Sequence, residues 1–262
     1  MSSDINELLL YEEINEIAVL TLNRPKQQNA LSSDLINKIL IKLNDIEKNK
    51  NIKAVTIFAS GNNFCAGHDL KELKIDKSEE RFKHLFNLCS KLMLKIVKLP
   101  IPVIAGVQGI ATAAGCQLVA SCDLALAADN AKFATPGVNI GLFCSTPMVA
   151  VSRNVNRKQT MEMLLLGEFV TPSKAQEIGL INKVVRNENL KQETMKIAQI
   201  IALKSPTTVA IGKKAFYQQL EMNIEDAYKY TSKVMSTNML KKDAQEGISA
   251  FLENRDPKWS DK

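Results

Sequence analysis

Pro102-Val103-Ile104-Ala105-Gly106-Val107-Gln108-Gly109-Ile110-Ala111-Thr112-Ala113-Ala114-Gly115-Cys116-Gln117-Leu118-Val119-Ala120-Ser121-Cys122-Asp123 changes character twice along its length. It opens as a buried strand, Val103 to Val107, and closes as a helix over roughly Gly115 to Cys122, with Asp123 leading into a further apolar run. Between the two lie Gly109, Ala111, Thr112, Ala113, Ala114 and Gly115, all small. Small side chains let another group approach the backbone closely. The first amides of a helix have no partner within it and can donate to an anion or a polarised carbonyl. The stretch therefore reads as a strand, a bare turn and a helix N-terminus aimed at a ligand, with tight packing of one backbone on another as the equal alternative. Its glycine spacing does not match the dinucleotide-binding fingerprint.

Working outward toward the N-terminus, Leu8–Tyr11 and Ile17–Leu22 have strand character, with Glu13, Asn15 and Glu16 at the turn between them. A polar loop, Asn23-Arg24-Pro25-Lys26-Gln27-Gln28-Asn29-Ala30-Leu31, carries two cations. Ser32 and Ser33 can cap a helix whose apolar stripe is Leu35, Ile36, Ile39, Leu40, Leu43 and Ile46. Ala54–Ala59 is a buried strand, followed by a turn and Phe64-Cys65-Ala66-Gly67-His68-Asp69-Leu70-Lys71. A longer helix begins at Ser78, and Pro100 and Pro102 end it. Toward the C-terminus, Leu124–Ala128 is a strand, Ala131–Ala134 a short extended piece and Thr135 to Gly141 a loop. Pro147 suits the first turn of a helix, Arg157–Leu166 is another helix, and Ile181–Val185 a last strand. From Leu190 to Asn254 the pattern is helical, broken at Ser205-Pro206 and near Met222-Asn223. Mixed β and α with no linker, then α alone, predicts an α/β core over residues 1–200 and a helical C-terminal region over residues 201–262.

The chain's 262 residues, 45% hydrophobic and 24% charged, suit a soluble globular protein with a sizeable core. A net charge of +6 admits two anionic partners, a phosphorylated small molecule or nucleic acid. The positive charge is spread along helices and only 5% of residues are aromatic, which argues against nucleic acid. Cys65, Cys89, Cys116, Cys122 and Cys144 are odd in number and form no C-x-x-C, so neither a disulfide framework nor a metal site is expected. They read as buried thiols in a reducing compartment. No apolar run is long enough for a membrane helix. The acidic start, Met-Ser-Ser-Asp-Ile-Asn-Glu, carries no basic apolar signal, and a cytoplasmic location is expected.

Taken together, these segments resemble the crotonase, or enoyl-CoA hydratase/isomerase, superfamily over nearly the whole chain. Asn23-Arg24-Pro25 with Asn29-Ala30-Leu31 is similar to the family's first loop, and Phe64 to Leu70 to its first oxyanion loop. Pro102 to Gly109, with Ala114-Gly115-Cys116 and Cys122-Asp123, is similar to its second. Phe133, Pro136, Met161-Glu162-Met163, Gly167-Glu168, Ala175, Gly179-Leu180 and Val184-Val185 follow in order. The resemblance implies a superhelix of ββα turns, with C-terminal helices that assemble a homotrimer or a dimer of trimers. It also implies an acyl-CoA thioester as ligand, with no separate cofactor because CoA enters with the substrate. The backbone amides of His68 and Ala114 would bond the thioester oxygen and stabilise an enolate. Ala66, Gly67, His68, Asp69, Leu70 and Lys71 would border the ligand, with the adenine edge near Ala66. Lys71, Arg24 and Lys26 are the candidate phosphate-facing cations.

Hydratases of this superfamily use two glutamates as acid and base. The resemblance puts Gln117 and Gly137 in their places, and neither exchanges a proton near neutral pH. Gly137 is expected to leave room where a carboxylate would stand, enough for a bound anion such as bicarbonate. Other groups are weighed as replacements. The His68 imidazole titrates near neutrality, and Asp69 is a candidate to orient it. Cys65 and Cys116 flank the two amides as nucleophiles or, more plainly, as small buried hydrophobes. Asn139, Cys144, Ser145 and Thr146 are polar but weak acids. His84, between Phe82 and Phe86 on a helix, reads as structural. With two histidines and no nucleophile elbow, a catalytic triad is not supported. The leading reading is a protein that binds acyl-CoA and stabilises a thioester enolate, without the hydratase's usual acid and base. The alternatives are isomerisation, decarboxylation or thioester hydrolysis with a different base, or non-catalytic acyl-CoA binding.

Overall fold

The computed structural model describes residues 7–75 and 77–260. Eight strands occur among them: β1 (Leu9–Ile14), β2 (Ile17–Leu22), β3 (Ala54–Ala59), β4 (Val103–Val107), β5 (Ile110–Thr112), β6 (Leu124–Ala128), β7 (Lys132–Ala134) and β8 (Lys183–Val185). The main sheet has the order β1-β2-β3-β4-β6-β8, antiparallel at β1·β2 and parallel elsewhere. β1 runs three residues further than its apolar pattern indicates. Asn15 and Glu16, both at positive φ, make the tight two-residue turn that keeps Ile14 paired with Ile17.

Helices wind between the strands: α1 (Ser33–Lys48), α2 (Leu70–Ile75), α3 (Glu79–Lys98), α4 (Ala114–Ser121), α5 (Pro147–Val151), α6 (Arg157–Leu166), α7 (Pro172–Glu177) and α8 (Leu190–Ala202). Ser32 caps α1 by accepting the Leu35 amide at 3.3 Å. Both faces of the sheet are covered, which is why its strands read as almost unbroken apolar runs. Ala18, Leu20 and Leu22 of β2 face α1 and α3, while Ile17 and Val19 face the α8 residues Leu190, Ala198 and Ala202. A second, smaller layer pairs β5 with β7 in parallel. Isolated bridges extend it, Leu31 to His68, Cys65 to Ala111 and Phe133 to Val170. Successive turns of the chain thus give one strand to each layer, the ββα superhelix that the resemblance implies.

Three further helices close the chain: α9 (Pro206–Gln219), α10 (Ile224–Met239) and α11 (Lys242–Leu252). The division expected after residue 200 falls inside α8, which ends at Ala202 and packs on the sheet, so the helical region begins with α9. Asp123, at the end of the opening stretch, fastens α9 to the core. Its carboxylate accepts from the Lys213 ammonium at 2.6 Å, the Tyr217 hydroxyl at 2.9 Å and the Val103 amide at 2.7 Å. The same ammonium donates to the carbonyls of Ile96 and Ile101.

Candidate active site

The two loops of interest are sewn to each other by backbone. Cys65 N–H donates to the Ile110 carbonyl at 2.9 Å, and Thr112 N–H to the Cys65 carbonyl at 3.0 Å. On the other edge, Leu31 N–H donates to Gly67 and Asp69 N–H to Leu31. In a parallel bridge of that kind the intervening residue, His68, turns its own amide and carbonyl away from Leu31. Two glycines permit the close fit. A Cβ on Gly115 would lie 2.1 Å from the Cys65 carbonyl oxygen. One on Gly67 would lie 3.0 Å from Ala113 Cβ and 3.6 Å from Ala114 N. The small residues of the opening stretch therefore let the two backbones pack closely at the start of α4.

Ala113 enters α4 at φ 50° and ψ −116°, a conformation strained for any residue with a Cβ. Its N–H is held by the Ala134 carbonyl at 2.9 Å, and its carbonyl accepts the first helical bond from Gln117 N–H. The amide of Ala114 is the first of α4 and has no partner within the helix. The sequence pattern missed β5, which pairs with β7, the short extended piece read at Ala131–Ala134, to hold this geometry. Three residues are too few to show alternation. It also missed Asn29, fully buried, whose side chain bonds Arg24 N, the Ser60 carbonyl and the Asn63 carbonyl and so fixes the first loop.

The His68 ring packs edge-on against Phe86 of α3, with ring centroids 5.4 Å apart. Both its nitrogens are buried, and neither makes a hydrogen bond of ordinary geometry among the described residues. Burial holds its pKa below the ordinary 6.5, against weaker opposing effects of the Leu31 carbonyl and Glu72. Asp69 does not orient it. Asp69 pairs with Arg24 at 2.8 Å and accepts the Lys71 amide at 3.1 Å. Burial opposes the Asp69 charge, yet the Arg24 bond and the nearby amides hold its carboxyl below the ordinary 3.8. Arg24 is committed by the same pair and by a bond to the Ala30 carbonyl, so it braces the loop and is not free for a phosphate. Lys26, Ala66, Leu70 and Lys71 lie exposed on the rim. His84 is exposed on α3.

A neutral buried imidazole has a stability consequence. Below pH 6.5 the unfolded chain takes up a proton at His68 that the folded protein resists, so stability falls with acidification from that pH downward. In His68→Gln, the drop in melting temperature between pH 7 and pH 5 should be smaller than in the parent protein. An identical drop in both would contradict this.

Gln117 is buried and receives a long hydrogen bond from the Cys89 thiol, 4.0 Å from Sγ to Oε1. It opens on a cavity of about 1240 Å³ bounded by α3, α4, α5 and α9. The room expected at Gly137 is closed. Its Cβ would fall 2.6 Å from the Leu142 carbonyl oxygen and 2.9 Å from Cys144 Sγ, and that sulfur already accepts the Gly137 amide at 3.4 Å. The remaining cysteines offer no ready nucleophile, since burial pushes the thiols of Cys65, Cys89 and Cys116 up to about 12. Burial also raises Cys144, partly offset by the Gly137 amide. Thr135, next to Ala134, is fully buried with its hydroxyl unpartnered among the described residues, a feature no sequence signal marks.

With this geometry in view, comparison with known proteins is decisive. Residues 12–262 match the family described as enoyl-CoA hydratase/isomerase. The chain belongs to that family. It is 47% identical over 253 residues to the Xenopus laevis protein named enoyl-CoA hydratase domain-containing protein 3, mitochondrial, spanning 97% of this chain and 86% of the relative. The Homo sapiens protein of the same name is 47% identical, over 95% of this chain and 82% of the relative. Among solved structures, an enoyl-CoA hydratase of Mycobacterium smegmatis superposes with a TM-score of 0.95 at 48% identity, covering 97% of this chain and 99% of the other. The human domain-containing protein 3 gives 0.94 at 44%, covering 97% and 100%. The fold is therefore that of the crotonase superfamily. The cytoplasmic location expected from the acidic start is corrected by these family relatives, whose names place them in mitochondria.

Proposed function

We propose that the protein binds an acyl-CoA thioester and stabilises its enolate between the backbone amides of His68 and Ala114. The observation that carries this reading is the packing of Gly67 on Ala113 and Ala114, which brings the two loops side by side. One loop turns the His68 amide away from Leu31, and the other starts α4 at Ala114. The α4 dipole assists, placing partial positive charge where the oxygen gathers negative charge. Each such donor is worth roughly 3 kcal/mol to a transition state. The phosphates would meet Lys26 and Lys71 on the rim. Because Gln117 and Gly137 carry no carboxylate, the favoured chemistry is an enolate reaction other than ordinary hydration. Non-catalytic binding is the reading to which loss of all turnover would lead.

Assembly belongs to the same proposal. Phe216, Leu220, Ile224, Tyr228, Leu240, Phe251 and Leu252 leave apolar side chains exposed on and around α9 to α11. A homotrimer or a dimer of trimers would cover them, and sedimentation at micromolar concentration should find no monomer. A mitochondrial site of action follows the names of the relatives.

Thermal shift tests the binding claim. Short-chain and long-chain acyl-CoA should each raise the melting temperature by mass action, about 2.7 kcal/mol of stabilisation at a hundred times the dissociation constant. Adenine nucleotides alone should do less. No shift with any acyl-CoA would overturn the reading.

A further inference from the structure

We propose that the His68 imidazole is the proton-transfer group of this site, taking a proton from C2 of the bound acyl-CoA thioester. The inference rests on the function proposed above and assigns its base. The residue whose amide is proposed to meet the thioester oxygen carries a ring that starts three bonds from that amide nitrogen. That side chain is an imidazole whose Nδ1 and Nε2 are both buried, with no hydrogen bond of ordinary geometry among the described residues and only the Leu31 carbonyl near enough to favour the protonated ring. Buried polar atoms are ordinarily satisfied, and an unsatisfied pair calls for an explanation. A buried hydroxyl without a partner among the described residues, Thr135 Oγ1, belongs to the residue after Ala134, whose carbonyl holds the Ala113 amide.

Phe86 and Cys89 of α3 connect the ring to the rest of the site. Phe86 touches the imidazole and Cys89 bonds Gln117. Residues three apart on a helix are neighbours about 5–6 Å apart. Phe86 and Cys89 thus bring the imidazole and the Gln117 amide to one face of α3.

Elimination supports the same assignment. Asp69 is held by Arg24, and Glu72 of α2 by Ser33 and Arg81. The thiols of Cys65, Cys89 and Cys116 stay protonated. Gln117 is neutral, and α3 presents Phe86 and Cys89 on this side, neither of them charged. His68 is held neutral at physiological pH, the form with a lone pair to accept a proton.

The step balances without an added reagent. The imidazole lone pair takes the C2 proton, and the C2–H electrons form the C1–C2 double bond. The carbonyl π electrons move onto the thioester oxygen, where the amides of His68 and Ala114 donate. Reversal returns a proton, or a deuteron once the imidazolium has exchanged with D2O.

Exchange of C2 hydrogens is the test, because it requires no knowledge of the overall reaction. The full-length protein is incubated in D2O with butyryl-CoA, whose mass is followed. The parent protein should add deuterium at C2, and the rate should hold through pH 6.5 and fall only at lower pH, because burial keeps the folded imidazole from protonating at its ordinary value. His68→Gln and His68→Asn keep the backbone amide. Both should bind butyryl-CoA within a few-fold of the parent yet exchange at least about a hundredfold more slowly. Butyryl-CoA bound without exchange would overturn the proposal, as would exchange by a folded His68 variant at the parent rate. Failure to bind butyryl-CoA or any other acyl-CoA would instead overturn the binding function on which it rests.

Discussion

Crotonyl-CoA should remain almost unhydrated in the presence of this protein, at a rate at least about a hundredfold below that of a hydratase with two positioned acid–base groups. Hydration requires one group to make a water nucleophilic and a proton to be delivered to C2. Two amides at the thioester oxygen supply neither. The His68 imidazole could serve one of these needs, but Gln117 is a neutral amide engaged by Cys89, and position 137 has no side chain. From sequence alone, Gln117→Glu with Gly137→Glu should restore hydration. The structure reverses that expectation. A Cβ at 137 meets the Leu142 carbonyl at 2.6 Å, so the pair should lose stability by about 1–3 kcal/mol and stay inactive. Adding Cys144→Ala removes the sulfur contact but not the carbonyl. Loss of the enoyl-thioester absorbance measures all of these. Brisk hydration by the parent protein would show that the acid and base lie elsewhere.

Asp123→Ala should cost about 3–5 kcal/mol, the effect of stripping one partner from a buried ion pair. The Lys213 ammonium is only 6% exposed, and burial already depresses its pKa despite the attraction of Asp123. Without the carboxylate it would retain two carbonyl acceptors and no counter-charge. The Tyr217 hydroxyl and Val103 amide would also lose their acceptor. In a chain of this size the melting temperature should fall by on the order of 10 °C. Because Lys213 and Tyr217 sit on α9, limited proteolysis should begin near the α8–α9 junction. Urea unfolding gives the free energy. A cost below about 1 kcal/mol would mean that α9 is held by apolar packing instead.

The main sheet was legible because burial on both faces leaves long apolar runs, such as Ile17 to Leu22, and serines at 32 and 78 mark helix starts. β5 was not, since its three residues are recognisable as a strand only by their pairing with β7. At the site, spacing identified the two loops, because glycine is required wherever Cys65 and Gly115 meet. It misjudged side chains whose partners are distant in sequence. Arg24 and Asp69 neutralise each other across 45 residues, so neither is available for the role its type suggests. A glycine in a sequence looked like free space at 137, whereas Leu142 and Cys144 fold back to occupy it.

The central claim is that two backbone amides, those of His68 and Ala114, grip the thioester oxygen. Isotope-edited infrared spectroscopy of butyryl-CoA labelled with ¹³C at the thioester carbonyl tests it most directly, since hydrogen bonds to that oxygen weaken its C=O bond. On binding, the labelled band should move to lower frequency than in water, and it should do so equally in His68→Gln, which keeps the amide. A bound thioester whose carbonyl band stays at or above its frequency in water would contradict the account.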